Sequence, residues 1–341
     1  CVVLGSAPSV LPSPSSWASL PGMTTEDNMK TLIVANPRAG NGWLGKVWPS
    51  LQDRIRLAFG PFEHAFTSGP RDAGPLTRRA LLEGYEMVVA MGGDGTVSEV
   101  VNGFFRDREP VNEEAVLGIL PFGTGGDLVR SLNLPTRLSA AAAALKGRDL
   151  RVVDVGVLDC DDECGRGQTL HFINVASFGI GGLVDTLVNE SPKVLGGTLS
   201  FMLGTLRAAA VYENCPLKLE LDGEREIHLT ALNVAVANGQ FFGGGMHIAP
   251  WARLDDELFD VVALGDFSPW ELVTRGHRIY RGTHLGHPKV RFDRARHIRA
   301  MPVDPNREVL LDVDGETPGR LPASFEVIPK SLRIKVSGGS A

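Results

Sequence analysis

The chain has 341 residues, 43% of them hydrophobic and 22% charged, which is ordinary globular usage at a length that calls for about two packed cores. Its 34 Lys and Arg against 40 Asp and Glu leave a formal charge of −6, so a nucleic-acid partner held by bulk electrostatics is excluded. Four cysteines without a C-x-x-C pair are too few for a disulfide scaffold and fit a reducing, cytoplasmic setting.

Cys1 to Gly22 is rich in Ser and Pro and lacks the basic and apolar regions of a signal peptide, so residues 1–29 are expected to be a disordered leader or upstream translation. From Thr31 the pattern alternates: a strand Thr31–Ala35, a helix near Trp48–Phe59, a strand near Glu63–Thr67 and a helix near Asp72–Leu82. It goes on with the strand Met87–Met91, a helix from Thr96 to Phe105, the strand Val116–Leu120 and an alanine-rich helix Arg137–Leu145. Short apolar strands in βαβα order predict a parallel sheet covered on both faces, an α/β domain over residues 30–150. After Arg151 many short strands with turn signals predict an antiparallel β-sandwich over 151–331, with a C-terminal segment of about 332–341 expected to return to the first domain. The expected sandwich strands include Leu170–Ala176, Glu226–Ala237, Glu308–Val313 and Phe325–Ile328. Helical insertions are expected at Gly182–Asn189, Gly196–Tyr212 and Pro269–Tyr280. The most apolar stretch, Val194 to Val211, is broken by Ser200, Thr205 and Arg207, short of the roughly 18 apolar residues a membrane span needs.

The motif with the most chemistry is Gly92-Gly93-Asp94-Gly95-Thr96, between an apolar strand and a helix. Glycines let backbone N–H groups approach a phosphate, and the helix start favours an anion. Asp94 would repel that anion unless a divalent cation lies between them, which points to a Mg2+–nucleotide; the plainer alternative is a turn with Asp94 as N-cap. A second loop, Pro121-Phe122-Gly123-Thr124-Gly125-Gly126-Asp127, follows the next strand, and a third, Asn36 to Gly42, offers Arg38 to a phosphate. Gly40 to Lys46 has the spacing of a P-loop, but Val47 stands where that loop needs a hydroxyl. In the β-rich half, Asp255-Asp256-Glu257 is a hard-oxygen set of the kind Mg2+ or Ca2+ prefers. Asp312-Val313-Asp314-Gly315-Glu316 ends a strand with a glycine able to turn Glu316 toward a cleft, where a carboxylate can serve as general base.

Taken in order, Gly92–Thr96, Leu120–Thr124 with Asp127, Ala249-Pro250 leading to Asp255-Asp256, and Asp314-Gly315-Glu316 resemble the motifs of the diacylglycerol kinase catalytic-domain family, which includes sphingosine and ceramide kinases and bacterial lipid kinases. The resemblance spans about Lys30 to Val336. It implies an NAD-kinase/phosphofructokinase-like α/β domain, a C-terminal β-sandwich and an active cleft between them. It implies ATP over Gly92, Gly93, Asp94, Gly95 and Thr96, with Asn36, Arg38, Thr67, Glu99, Gly123 and Thr124 as further contacts. It places the catalytic base on Glu316, with Asp94 as the other candidate, and a structural Mg2+ or Ca2+ on Asp256 and the carbonyls of Arg253 and Leu258. Gly126 stands where the family usually has Asn, and Glu257 where it usually has Gly. The implied activity is phosphorylation of a lipid hydroxyl, diacylglycerol or a related glycerolipid, with transient contact at the inner membrane surface. A soluble NAD-kinase-like enzyme, a sphingoid-base kinase and a non-catalytic binding module are the alternatives.

Overall fold

The structure, a computed structural model, describes residues 29–123, 126–162, 164–181 and 212–337. The expected leader, Thr124, the Val194–Val211 stretch and the expected helices from Gly182 to residue 211 lie outside these.

The first half runs β1 (Thr31–Ala35), α1 (Ala39–Ala58), β2 (Glu63–Phe66), α2 (Ala73–Leu82), β3 (Met87–Gly92), α3 (Asp94–Phe104), a small hairpin of β4 (Phe105–Arg106) and β5 (Glu109–Pro110), then β6 (Val116–Pro121), α4 (Asp127–Ser131) and α5 (Leu138–Lys146). Strands β6, β3, β1 and β2 lie side by side and parallel. Alternation along β1 sends Leu32 and Val34 to a core with α2 and α3, and Ile33 and Ala35 to a core with α1 and α5, so both faces are covered. The register sets Ala35 beside Met91 and Gly92 beside Pro121, so the loops that follow β1, β3 and β6 leave the sheet at one edge.

The second half runs β7 (Leu150–Asp161), β8 (Gly167–Phe172), β9 (Val175–Gly179), β10 (Cys215–Leu221), β11 (Arg225–Ala231), β12 (Asn233–Ala237), β13 (Phe241–Phe242), β14 (Met246–His247), β15 (Phe259–Leu264), α6 (Pro269–Arg275), α7 (His277–Tyr280), β16 (Val290–Ala295), β17 (His297–Pro302), β18 (Leu311–Val313) and β19 (Arg320–Lys335). A five-stranded antiparallel sheet, β16-β15-β12-β9-β18, faces β7, β8, β10, β11, β17 and β19 across a core that holds Phe172, Phe178, Phe259 and Phe325. Two strands expected to be continuous change sheets midway. Leu170–Ala176 divides at Ile173-Asn174 into β8 and β9, and Glu226–Ala237 divides at Leu232, whose N–H donates to the Leu264 carbonyl at 2.8 Å, into β11 and β12. The last strand is far longer than the expected Phe325–Ile328: β19 pairs with β17 near Phe325, with β7 along most of its length, and in parallel with β6 at Arg333 and Ile334. One ten-stranded sheet thereby runs through both halves. Ile334 is fully buried in the α/β core, so Ile334→Ala is expected to cost about 2–4 kcal/mol, read as a lower urea midpoint, although it lies at the far end of a strand that starts in the sandwich.

Candidate active site

Three loops gather at the edge of the parallel sheet, and glycine lets them touch. A Cβ at Gly123 would stand 2.8 Å from the Gly93 Cα, and one at Gly92 would stand 2.3 Å from Thr96 Oγ1, so neither position tolerates a side chain. The Phe122 N–H donates to the Gly92 carbonyl at 2.8 Å, and the Asn36 N–H to the Met91 carbonyl at 3.0 Å. Asn36 Nδ2 reaches Thr96 Oγ1 at 3.3 Å while its Oδ1 accepts the Arg38 N–H at 2.9 Å, so three of the expected contact residues form one unit. Thr67 is buried beside them, its N–H donating to the Ala35 carbonyl at 3.0 Å.

Helix α3 begins at Asp94 rather than at Thr96, with Gly93 as its cap residue. Asp94 does not cap its own helix; its Oδ2 accepts the N–H groups of Gly126 at 2.7 Å and Asp127 at 3.4 Å, which ties the first glycine loop to the second. Gly126 makes this bond from a left-handed conformation, φ +88°, which gives glycine a physical reason at a position where asparagine was the expectation. Asp127 is buried, and burial raises its pKa; its Oδ1 meets Arg130 at 2.6 Å and its Oδ2 accepts the Gly244 N–H of the β13–β14 hairpin at 2.7 Å. This carboxylate, which sequence reasoning left without a role, pins the α/β loop to the other half of the molecule.

Across the cleft, Asp314 (φ +50°) and Gly315 (φ +89°) are both left-handed, and Val313 and Glu316 exchange backbone hydrogen bonds of 2.8 and 3.0 Å around them. This is the geometry of a type I′ turn, for which Asp-Gly is the preferred pair, and it brings Glu316 over the start of α3. A Cβ on Gly95 would lie 3.5 Å from Glu316 Oε1. Glu316 is exposed as a residue, yet partial burial of its carboxyl, with Glu99 second, raises its pKa. Asp312 and Asp314 share the strand's alternation but not its role. Buried Asp312 accepts from Ser177 Oγ at 3.2 Å and from the Gly315 N–H at 3.1 Å, which shapes the turn. The Asp314 carboxyl sits deeper in the cleft, where burial, opposed by the Val175 N–H and reinforced by Asp94, pushes it up to about 7.

Glu99 departs from its expected place among the nucleotide contacts. Its two oxygens accept the N–H groups of Arg71 and Ala73, both at 2.9 Å, so it braces the loop before α2. Beside it the cleft widens into a cavity of about 240 Å³ with Arg71, Ser98, Asn102, Gln168 and Glu316 on its wall. Asn102 closes the back of this cavity by a reciprocal pair of 2.8 Å bonds to the His171 backbone, joining α3 to β8. His171, absent from the sequence expectations, stacks on Phe105 at 4.6 Å, and burial pushes its pKa down to about 4.

The expected cation loop is built differently. Asp256 faces the Arg294 guanidinium, which also reaches Asp260 at 3.0 Å. Asp255 pairs with Arg151 at 3.1 Å, and Glu257 with Arg296 at 2.8 Å and Lys330 at 3.2 Å. Asp256, the one side chain of the set expected with the Arg253 and Leu258 carbonyls, is thus already paired with a guanidinium, and among the described residues no three His, Cys, Asp or Glu side chains converge as a metal set.

Two family descriptions match: the diacylglycerol kinase catalytic domain over residues 30–158, and the YegS C-terminal NAD kinase beta sandwich-like domain over residues 174–336. A YegS-like lipid kinase of Pseudomonas aeruginosa is 33% identical over 79% of this chain and 82% of its own. The chain belongs to the diacylglycerol kinase catalytic-domain family. A diacylglycerol kinase of Staphylococcus carnosus is 29% identical over 89% of this chain and 93% of its own. A crystal structure of a diacylglycerol kinase from Bacillus anthracis, 21% identical, shares the fold with a TM-score of 0.67 over 92% of this chain and 98% of its own. At the level of this family the protein is an ATP-dependent lipid kinase, a phosphotransferase with an alcohol acceptor, built on an α/β domain and a β-sandwich.

Two outcomes test the geometry. Gly123→Ala should raise the dissociation constant for ATP about tenfold or more, because the displaced backbone is the cradle itself, while circular dichroism stays that of the wild type. Asp314 holds a proton in the native chain that the unfolded chain releases near pH 4, so it withdraws stability as pH rises from about 4 through about 7. Asp314→Asn should therefore gain on the wild type in urea midpoint between pH 5 and pH 8; parallel curves would refute the placement.

Proposed function

We propose that this kinase transfers the γ-phosphoryl group of ATP to the free hydroxyl of a glycerolipid, diacylglycerol first among them. The observation that carries the reading is Glu316 held by a rigid turn opposite Gly95, with the glycine cradle on the other wall of one cleft. Backbone N–H groups at Gly92–Thr96 and the start of α3 receive the phosphates, with Arg38 exposed beside them. Asp94 adds to the burial that raises the Asp314 pKa, so the two carboxyls share one electrostatic neighbourhood, a pairing that suits a divalent cation arriving with the nucleotide. Mg2+ bound there would supply neutralisation of phosphate charge. Glu316 accepts the hydroxyl proton as the oxygen attacks phosphorus, and position and charge account for most of the rate.

Lipid delivery requires a bilayer nearby. Among the described residues no helix is long and apolar enough to cross a membrane. The surface we assign to transient contact with the inner membrane face is α6–α7, where Trp270 is 73% exposed and Arg275, Arg278 and Arg281 follow.

Incubation with γ-labelled ATP and a panel of diacylglycerol, phosphatidylglycerol, sphingosine and NAD tests the reading: label in diacylglycerol is expected, and label only in NAD would overturn it. Glu316→Gln should lower kcat by about 10²–10⁴ with ATP binding little changed. The acidic limb of the wild-type pH–rate profile should lie above the ordinary glutamate range, because burial favours the protonated form, and should vanish in the variant. If Glu316→Gln keeps full rate while Asp94→Asn loses it with ATP bound, Asp94 is the base.

A further inference from the structure

The loop Arg253–Leu258 sits where its family resemblance implies a structural cation, and its surroundings supply positive charge from within the chain. It is clamped on three sides. The Leu254 carbonyl accepts the Asp154 N–H at 2.6 Å, and the Asp154 carboxylate, fully buried, accepts the N–H of Glu257 at 2.6 Å and of Lys330 at 2.7 Å. Asp255 and Glu257, at the loop's outer side, each have two basic partners: Arg151 and Arg253 for the first, Arg296 and Lys330 for the second. The two inner carboxylates, Asp256 and Asp260, share Arg294 on the neighbouring strand β16, whose register sets Arg294 directly opposite Asp260.

The second oxygens of the inner pair, Oδ1 of Asp256 and Oδ2 of Asp260, are buried and have no hydrogen-bond donor. Arg294 is thus the cation on which both carboxylates depend, and Asp260 is 1% exposed. A guanidinium is suited to this place. It is planar, always charged and able to bond two carboxylates at once, whereas a lysine would reach one as a point charge. A divalent ion would meet a fixed positive charge already seated on Asp256.

We propose that Arg294 is the resident cation of this loop, bridging Asp256 and Asp260 in the role that a bound metal ion would otherwise fill, so that the sandwich holds the Arg253–Leu258 loop without metal. Breaking such a pair from one side leaves buried carboxylates uncompensated, which costs more than removing both partners. That asymmetry separates an essential guanidinium from a decorative surface pair.

The test uses the nucleotide-free full chain, so that a cation arriving with ATP is kept out of the measurement. Melting temperatures are compared in EDTA, in millimolar Mg2+ and in millimolar Ca2+, with metal content read by mass spectrometry after gel filtration. The wild type is expected to melt within about 1 °C in all three, with less than a tenth of an equivalent of metal retained. Arg294→Gln in EDTA is expected to melt about 3–6 °C lower and to recover at least half of that loss in Ca2+ or Mg2+, as the vacated carboxylates accept the ion. Asp256→Asn combined with Arg294→Gln should melt above Arg294→Gln alone and lose the response to metal. This double variant also serves if the single one fails to fold. A wild type that retains one metal per chain and melts several degrees lower in EDTA would overturn the proposal. So would an Arg294→Gln protein that melts like the wild type, or a double variant no more stable than the single.

Discussion

The antiparallel ladder between β7 and β19 is the constraint on which the rest of the molecule depends. Leu150 pairs with Lys335 at one end and Asp161 with Arg320 at the other, so two strands traverse both halves. At one end β19 lies against β6, whose carboxyl edge carries the second glycine loop; just before its other end the chain forms the turn that presents Glu316. A cleft between two independently mobile units would need a ligand to close it. Here the two walls share backbone hydrogen bonds, and side chains add to them: Asp127 to Gly244, Asn102 to His171, Ser131 Oγ to Asn174 at 3.1 Å.

The cleft held in this way is acidic, which looks unfavourable for a nucleotide and explains its chemistry. Asp94, Asp314 and Glu316 converge from both halves, and burial drives the latter two toward their protonated forms. Such clustering destabilises an empty site while tuning it for a cation and a transferable proton. The two aspartates are held by backbone rather than by a competing arginine: Asp94 by Gly126 and Asp127, Asp314 by Val175. In the Arg253–Leu258 loop the chain does the opposite and matches every acid with a base. The contrast separates carboxylates kept available for substrate from carboxylates consumed in holding a loop.

Much of this was legible from residues. Wholly apolar strands in βαβα order gave the parallel sheet, since only a sheet buried on both faces is written that way. Gly92–Thr96 and Gly123 read as close-approach positions because glycine has no Cβ, and Gly315 read as the point where the strand end can turn Glu316 toward a cleft, while the left-handed pair it forms with Asp314 emerged only in the fold. The strand breaks at Asn174 and Leu232 were not legible. The chain stays buried through each corner, from Phe172 to Val175 and from Ala231 to Asn233, so no exposed break along the chain registers the change of sheet. Glu99 lies in a glycine-loop motif and looked like a ligand contact; only folding revealed two N–H groups of a distant loop waiting for it.

The sequence by itself determined local preference: where backbone can be left-handed, which strands are buried, and which motif brings carboxylate and glycine together. These depend on one residue type and its neighbours along the chain. Tertiary structure decided which charges meet. Arg294 is 38 residues from Asp256 and Asn102 is 69 from His171, and nothing in either segment names its partner. Charge and proton affinity depend on distance and burial, which exist only once β7, β16 and β19 have set the two halves in register.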